Sequence, residues 1–418
     1  MTRFPVWHPF TQHALAGPMT NITSATGAHI TTADGRRILD AISSWWVITH
    51  GHCHPAIVAA IQAQATQLDQ VIFAGFTHEP AEALARRLLA LCPPGLEHVF
   101  FSDSGSTSVE VALKMALGFW RHTNEPRQRI AVLQHAYHGD TIGTMAVGER
   151  GVFNAAYEPL LFDVARIPFP SPGREQASFD ALERAFKDEP TAAFLVEPLV
   201  LGAGGMLMYP AWVLAEFARL CQHYRVLLIA DEVMTGFGRT GTLFACEQAQ
   251  IQPDILCLAK GLTGGALPLA ATLCRGEIFA AHYSTDRART FFHSSSYTAN
   301  PIACAAALAN LDLWEFEPVR DRVTALVDMQ GKHLAGLQGH PRLRNLRQTG
   351  TITALDLAVT DAGYLADVAP RLYAFFQQRN ILLRPLGNTI YVLPPYCITD
   401  AEFATIYAAI AEAAVALS

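Results

Sequence analysis

Two stretches decide the fold: Val226-Leu-Leu-Ile-Ala-Asp231-Glu232 and Pro253-Asp254-Ile-Leu-Cys-Leu-Ala-Lys260-Gly261. Each is a short apolar run that ends in a charged residue. Runs this short, bounded by polar and turn residues, fit buried strands better than helices. Similar runs occur at His98 to Ser102, Ile130 to Leu133 and Ala192 to Val196. Helical stretches separate them, at Ala81 to Leu91, Ser106 to Trp120 and Ala211 to His223, and Thr107-Ser-Val-Glu110 reads as a capping box. This alternation predicts an α/β fold, a mostly parallel sheet with helices on both faces. Ligands bind such sheets beyond the carboxyl ends of the strands, which aims Asp231 and Lys260 at one crevice.

Outside this region the pattern changes. Ala28-His-Ile-Thr-Thr, Asp34-Gly35 and Arg37-Ile-Leu-Asp40 read as a hairpin around an Asp-Gly turn. A long helix is expected from Ile302 to about Leu337, then a strand at Gly350 to Leu357, a helix at Tyr364 to Gln378 and a hairpin at Ile381 to Leu393. The expected organisation is a large domain over 51–310 and a smaller α+β domain over 311–418. The N-terminal segment 1–50 is expected to join the smaller one. There is no internal repeat and no low-complexity linker.

Composition narrows the class. Charged residues make up only 16% of 418, too few for a disordered chain. A net charge of −7 with no basic run argues against nucleic acid as a partner. The eight cysteines are scattered, with no C-x-x-C, and read as small buried hydrophobes in a reducing compartment. No apolar run is long enough for a membrane span, and the start lacks a leader pattern, so the cytoplasm is the expected location. His50-Gly-His52-Cys53-His54 is too tightly spaced for one tetrahedral metal site, so no metal is expected there. Gly202-Ala-Gly204-Gly205 does not follow the dinucleotide pattern.

A single strand-end Asp more often caps a helix, and a single lysine more often reaches solvent. Together, on successive strands, they mean more. Desolvation after a buried strand lowers a lysine's pKa, and a neutral amine is what imine formation requires. An Asp to keep a pyridine nitrogen protonated and a Lys to form the imine are what pyridoxal 5′-phosphate (PLP) needs from a protein. Phe101-Ser-Asp103-Ser104-Gly105-Ser106-Thr107 runs into a helix start, where free backbone N–H groups favour a phosphate, although an ordinary cap looks the same. His135-Ala-Tyr137-His138-Gly139-Asp140 offers a ring to stack on the pyridine.

In this order the blocks resemble the class III (ω-type) PLP aminotransferases of fold type I. The resemblance rests on Asp103-Ser-Gly-Ser106, Tyr137-His-Gly-Asp140, Glu197-Pro198 with Gly204-Gly205, Asp231-Glu-Val-Met-Thr-Gly-Phe-Gly-Arg-Thr-Gly241, and Pro253-Asp254 with Lys260-Gly261. It implies a large domain with a seven-stranded-type, mostly parallel sheet. It also implies that Lys260 carries PLP and shuttles a proton, that Asp231 holds the pyridine nitrogen, and that Tyr137 and Val233 pack on opposite ring faces. Gly105 and Ser106 then bind the phosphate. Ser296, before Asn300-Pro301, matches a hydroxyl that family members donate to the partner subunit's site, which implies a homodimer.

Trp7-His8-Pro9-Phe10-Thr11, Ser43-Ser-Trp45-Trp46, Lys260-Gly-Leu-Thr-Gly-Gly265 and Leu383-Arg384-Pro385-Leu-Gly387 with Ile390-Tyr391 look like one subfamily. Its members are the adenosylmethionine–8-amino-7-oxononanoate aminotransferases of biotin biosynthesis. The implied donor is S-adenosylmethionine, the implied acceptor 8-amino-7-oxononanoate, and the implied order ping-pong. Arg384 suits a carboxylate clamp. Trp45 and Trp46 suit an aliphatic chain or a sulfonium, though core packing is as good a reading for one of them. Phe10, Asp140, Arg239, Gly265 and Tyr391 complete the expected substrate site. Phe10 stands where some members carry Tyr, and Leu386 replaces an aromatic found in some relatives. The alternatives are another ω-aminotransferase using lysine, ornithine or a diamine, and a PLP aminomutase, which moves an amino group within one molecule.

Overall fold

The computed structural model describes residues 5–360 and 362–417. An N-terminal ribbon is built from β1 (Ile22–Thr26), β2 (His29–Thr32) and β3 (Arg37–Asp40). The Asp34-Gly35 turn joins the last two, and Gly35 takes φ +84°, which favours glycine. The central sheet has seven strands. They are β4 (Leu96–Ser102), β5 (Arg129–Leu133), β6 (Ala165–Ile167), β7 (Thr191–Val196), β8 (Leu227–Asp231), β9 (Ile255–Leu258) and β10 (Ala270–Arg275). Their spatial order is β4-β10-β9-β8-β7-β5-β6, and only β10 runs antiparallel to its neighbours. Every residue of β7, β8 and β9 is buried, as expected for strands covered on both faces. The expected α/β class and mostly parallel seven-stranded sheet are therefore present.

The C-terminal part holds β11 (Leu343–Thr349), β12 (Ile352–Leu357), β13 (Ile381–Leu382) and β14 (Thr389–Val392). β11, β12 and β14 form a three-stranded antiparallel sheet, whereas β13 pairs in parallel with β3 of the N-terminal ribbon. The hairpin expected over Ile381 to Leu393 is thus not one. Its two strands join different sheets, because the buried edge of β3 takes the Ile381-Leu382 pair.

Two further expectations are corrected. The long helix after Asn300-Pro301 is two helices, Pro301–Phe316 and Val319–Ala335, because Pro318 cannot continue the first. The cap of helix Gly105–His122 is Ser104, which accepts from the Thr107 N–H at 3.2 Å while Thr107 Oγ1 accepts from the Ser104 N–H at 3.0 Å. Glu110, assigned to the cap above, instead accepts from the Gly143 N–H at 2.9 Å. No helix among the described residues is long and apolar enough to cross a membrane.

Candidate active site

β8 and β9 end side by side, with Asp231 paired in register to Cys257, three residues before Lys260. Beyond them lies a cavity of about 390 Å³. Asp231, Lys260, Tyr137, Val233, Gly105, Ser106, Trp46 and Gly265 all line it. Eight of the expected site residues, from five separate blocks, thus reach one space.

The charges in the cavity are set by burial. Lys260 lines the cavity, and loss of solvent lowers its amine from 10.5 to about 8, although the Asp231 and Glu197 carboxylates pull the other way. Its Nζ lies 4.8 Å from the centroid of the Trp46 ring. Asp231 Oδ1 accepts from the Val233 N–H at 3.1 Å, and Oδ2 lies 2.7 Å from His138 Nδ1. The adjacent Glu232 serves structure: it accepts from the N–H groups of Ala245 and Cys246, both at 2.8 Å.

The opposite wall is the N-terminus of helix Gly105–His122. A Cβ at Gly105 would meet Val233 Cγ1 at 2.6 Å, so glycine is needed for the helix start to approach β8 this closely. A Cβ at Gly139 would overlap the Ser106 hydroxyl. Ser106 Oγ accepts from the Asp140 N–H at 3.3 Å, which ties the Tyr137 loop to the helix start. An exposed helix start offers N–H groups to an anion, a deep carboxylate faces a cationic ring nitrogen, and a desolvated amine is a nucleophile. These three groups match the three functional parts of PLP.

Trp45 and Trp46 sit on a turn that sequence patterns do not reveal. Ser43, Ser44, Trp45 and Trp46 have φ of +53°, +45°, +72° and +74°, a left-handed turn. Such a turn costs about 1–2 kcal/mol per residue and persists only where surroundings impose it. Here the buried Asp40 does so: it accepts from the Ile42 N–H at 3.2 Å and the Ser44 hydroxyl at 2.8 Å, and pairs with His52 Nε2 at 2.9 Å. The Ser43 hydroxyl donates to the Leu393 carbonyl at 2.8 Å. Gly265 lies against the same turn, where a Cβ would meet the Val47 carbonyl oxygen at 2.5 Å.

Other expected residues lie elsewhere. Tyr391 is buried behind Trp46 and accepts from its indole N–H at 3.1 Å. Arg239 does not reach the cavity. It is 1% exposed, and its guanidinium donates to the carbonyls of Pro394 and Ile48, both at 2.8 Å, so it ties segments together. Arg384 is half-buried and does not line the cavity; its guanidinium carbon is 5.1 Å from the Trp45 ring centroid, with no carboxylate partner among the described residues. It donates to the Phe10 carbonyl at 3.3 Å. Asp140 is exposed beside the cavity, and Ser296 is exposed on the surface.

The three histidines at 50, 52 and 54 diverge, toward Asn310, Asp40 and Glu317. Among the described residues no group of three or more His, Cys, Asp or Glu is placed to hold a metal. Among the cavity residues that were not site candidates, His138 and Glu197 carry titratable groups close to Asp231 and Tyr137. Glu197 follows β7 as Asp231 ends β8, so the strand-end rule would have found it. It accepts from the Tyr137 and Gly202 N–H groups at 3.0 and 2.9 Å, and burial pushes it up to about 7.

Comparison with known proteins identifies the family. The family described as aminotransferase class-III matches residues 11–414. The adenosylmethionine-8-amino-7-oxononanoate aminotransferase of Synechococcus elongatus is 49% identical, with 97% of each chain covered. The enzyme of the same name from Nitratidesulfovibrio vulgaris is 40% identical, over 99% of this chain and 80% of its own. Among solved structures, that of the Methanocaldococcus jannaschii enzyme of that name has a TM-score of 0.94 at 31% identity, covering 99% of this chain and 97% of its own. An amine transaminase from an uncultivated Pseudomonas species, solved in its PLP-bound form, has a TM-score of 0.93 at 32% identity, covering 100% and 99%. With the family matched over nearly its whole length, the chain belongs to the class III aminotransferases, enzymes that work with pyridoxal 5′-phosphate.

Proposed function

We propose that this chain transfers the amino group of S-adenosylmethionine to 8-amino-7-oxononanoate, giving 7,8-diaminononanoate for biotin biosynthesis. The observation that carries the reading is one cavity lined by Lys260, Asp231 and Trp46, with Arg384 against the ring of the neighbouring Trp45. The names of its relatives support the same choice of substrates.

PLP, when bound, supplies an electron-poor ring that stabilises negative charge at the carbon bearing the amino group. The protein does the rest. The Lys260 amine would hold the cofactor and, once released, would move the proton at the substrate carbon. Asp231 holds the proton on the pyridine nitrogen. The Gly105 and Ser106 N–H groups would bind the phosphate, and Tyr137 and Val233, which line the same cavity, would enclose the ring. Arg384 binds the acceptor carboxylate, and Trp45 covers the aliphatic chain. Release of the keto product before the acceptor enters gives a ping-pong order.

Ser296 is exposed, as a residue that completes a partner's phosphate site has to be, which supports a homodimer with shared sites. The pairing of β3 with β13 supports treating 1–50 with 311–418 as the smaller unit around the 51–310 domain. A direct test is product formation: wild-type enzyme with both substrates should yield 7,8-diaminononanoate by mass spectrometry, and Lys260→Ala should yield none. Equal product from the variant removes Lys260 from the mechanism.

A further inference from the structure

Asn310, on helix Pro301–Phe316, is wholly buried and reaches across to the turn that begins at Lys260. Its amide Nδ2 donates to the carbonyls of Gly261 and Leu262, both at 3.0 Å. Carbonyls only accept, so these bonds fix which way the amide faces. Asn310 Oδ1 is then the acceptor 2.8 Å from His50 Nε2, which therefore carries the proton. His50 is 6% exposed, and the rings of His54, Trp314 and Tyr396 meet it edge to face. Its Nδ1 has no hydrogen-bond partner among the described residues, so a second proton there would be buried without an acceptor. Burial pulls the ring down to about 4, against a smaller upward push from Asn310 and Glu317. His50 is thus a neutral donor held in one orientation.

The turn these two residues hold is strained. Lys260 has φ +46°, a left-handed backbone that a side chain disfavours and that persists only where surroundings impose it. It opens a single short 3-10 turn, Lys260–Thr263, in which the Leu262 N–H donates to the Ala259 carbonyl and the Gly264 N–H to the Gly261 carbonyl, both at 3.0 Å. Bonds of this kind have poorer geometry than α-helical ones. The remaining support comes from the His50 side, where the Thr49 N–H donates to the Gly264 carbonyl at 3.3 Å. A residue that has to hold its amine in a cavity while its side chain changes partners needs its backbone fixed from outside.

We propose that His50 and Asn310 are positioning residues for Lys260: the chain from His50 through Asn310 to the Gly261 and Leu262 carbonyls holds the left-handed backbone that aims the amine into the cavity. The first histidine of the His50-Gly-His52-Cys53-His54 run then serves neither a metal nor the loop alone. The inference rests on Lys260 being the residue that captures PLP, as read above.

The test is capture of PLP by cofactor-stripped enzyme as a function of pH, in wild type, Asn310→Leu, His50→Phe and His50→Gln. The chain's lysines are Lys114, Lys187, Lys260 and Lys332, so reductive trapping and mass spectrometry identify the one that reacts. Asn310→Leu keeps the side chain's bulk and removes both donors. His50→Phe keeps a ring without the donor, whereas His50→Gln keeps a donor. When the turn relaxes, the amine gains solvent and the Asp231, Glu197 and Arg239 charges around it are better screened. The midpoint of capture at Lys260 should rise from about 8 to about 9 in Asn310→Leu and His50→Phe. The rate at about pH 8 should fall about fivefold, because the neutral fraction drops from about one half to about one tenth. His50→Gln should stay near wild type. A lower melting temperature with midpoint and rate unchanged in Asn310→Leu and His50→Phe makes the pair structural and overturns the proposal. So does a midpoint in His50→Gln that moves as far as in His50→Phe. The two His50 variants decide on their own should Asn310→Leu not fold. If Lys260→Ala captures PLP as wild type does, the reading of Lys260 falls and the proposal with it.

Discussion

His138 Nδ1 lies 2.7 Å from Asp231 Oδ2, with both side chains almost wholly shielded from solvent. Removing one member of such a pair leaves a buried charge uncompensated, at a cost of about 3–5 kcal/mol. A pyridinium nitrogen facing Asp231 offsets part of that loss. His138→Ala should therefore lower the melting temperature of the cofactor-stripped enzyme more than that of the loaded enzyme, and His138→Gln should recover part of the difference. Equal losses in both forms would show that His138 serves the fold and not Asp231.

The pH behaviour of Lys260 follows from burial, which holds its amine at about 8 against 10.5 when solvated. Only the neutral amine reacts with PLP, so capture by stripped enzyme should speed up as pH rises through about 8 and then level off. For stability the sign is the same. Between about 8 and 10.5 the unfolded chain keeps a proton that the folded chain has lost, so this group's contribution rises with pH across that window. Stopped-flow absorbance after adding PLP gives the capture profile. A rate independent of pH across that midpoint would contradict it.

The left-handed turn under the tryptophans is held by Asp40, and Asp40 is paired with His52. His52→Ala should let the turn relax, shift Trp45 and Trp46, and raise KM for the acceptor more than it lowers kcat. His52→Gln, which can still donate to Asp40, should restore much of the loss. A fall in kcat with KM unchanged would separate the turn from acceptor binding.

Arg384 has no carboxylate of its own among the described residues and lies against the Trp45 ring. Arg384→Ala should weaken acceptor binding by about 2 kcal/mol, the low end for such pairs because the group is half-exposed. Arg384→Lys should recover little, since a point charge cannot reproduce a bidentate fork. Unchanged KM for 8-amino-7-oxononanoate in both variants would remove Arg384 from the site.

The parts legible in the sequence are those where a local pattern sets the outcome. Ile255–Leu258 lies where its apolar run predicts, because a strand buried on both faces must be apolar throughout. Asp231 and Lys260 were legible because strand ends in such sheets face the crevice. The left-handed turn at 43–46 was not legible, since its cause is Asp40 and the Leu393 carbonyl, one of them far away in sequence. Arg239 misled for the same reason: its partners, Ile48 and Pro394, come from both ends of the chain. The split of the 302–337 stretch at Pro318 was available in the sequence and was overridden by the apolar periodicity on either side.

The most direct test is the donor half-reaction alone. Purified PLP-loaded enzyme is mixed with S-adenosylmethionine, and separately with lysine and ornithine, while the cofactor's visible absorbance is followed. The account predicts that S-adenosylmethionine bleaches the band and the other two do not. If S-adenosylmethionine leaves it unchanged while lysine or ornithine bleaches it, the donor assignment is wrong.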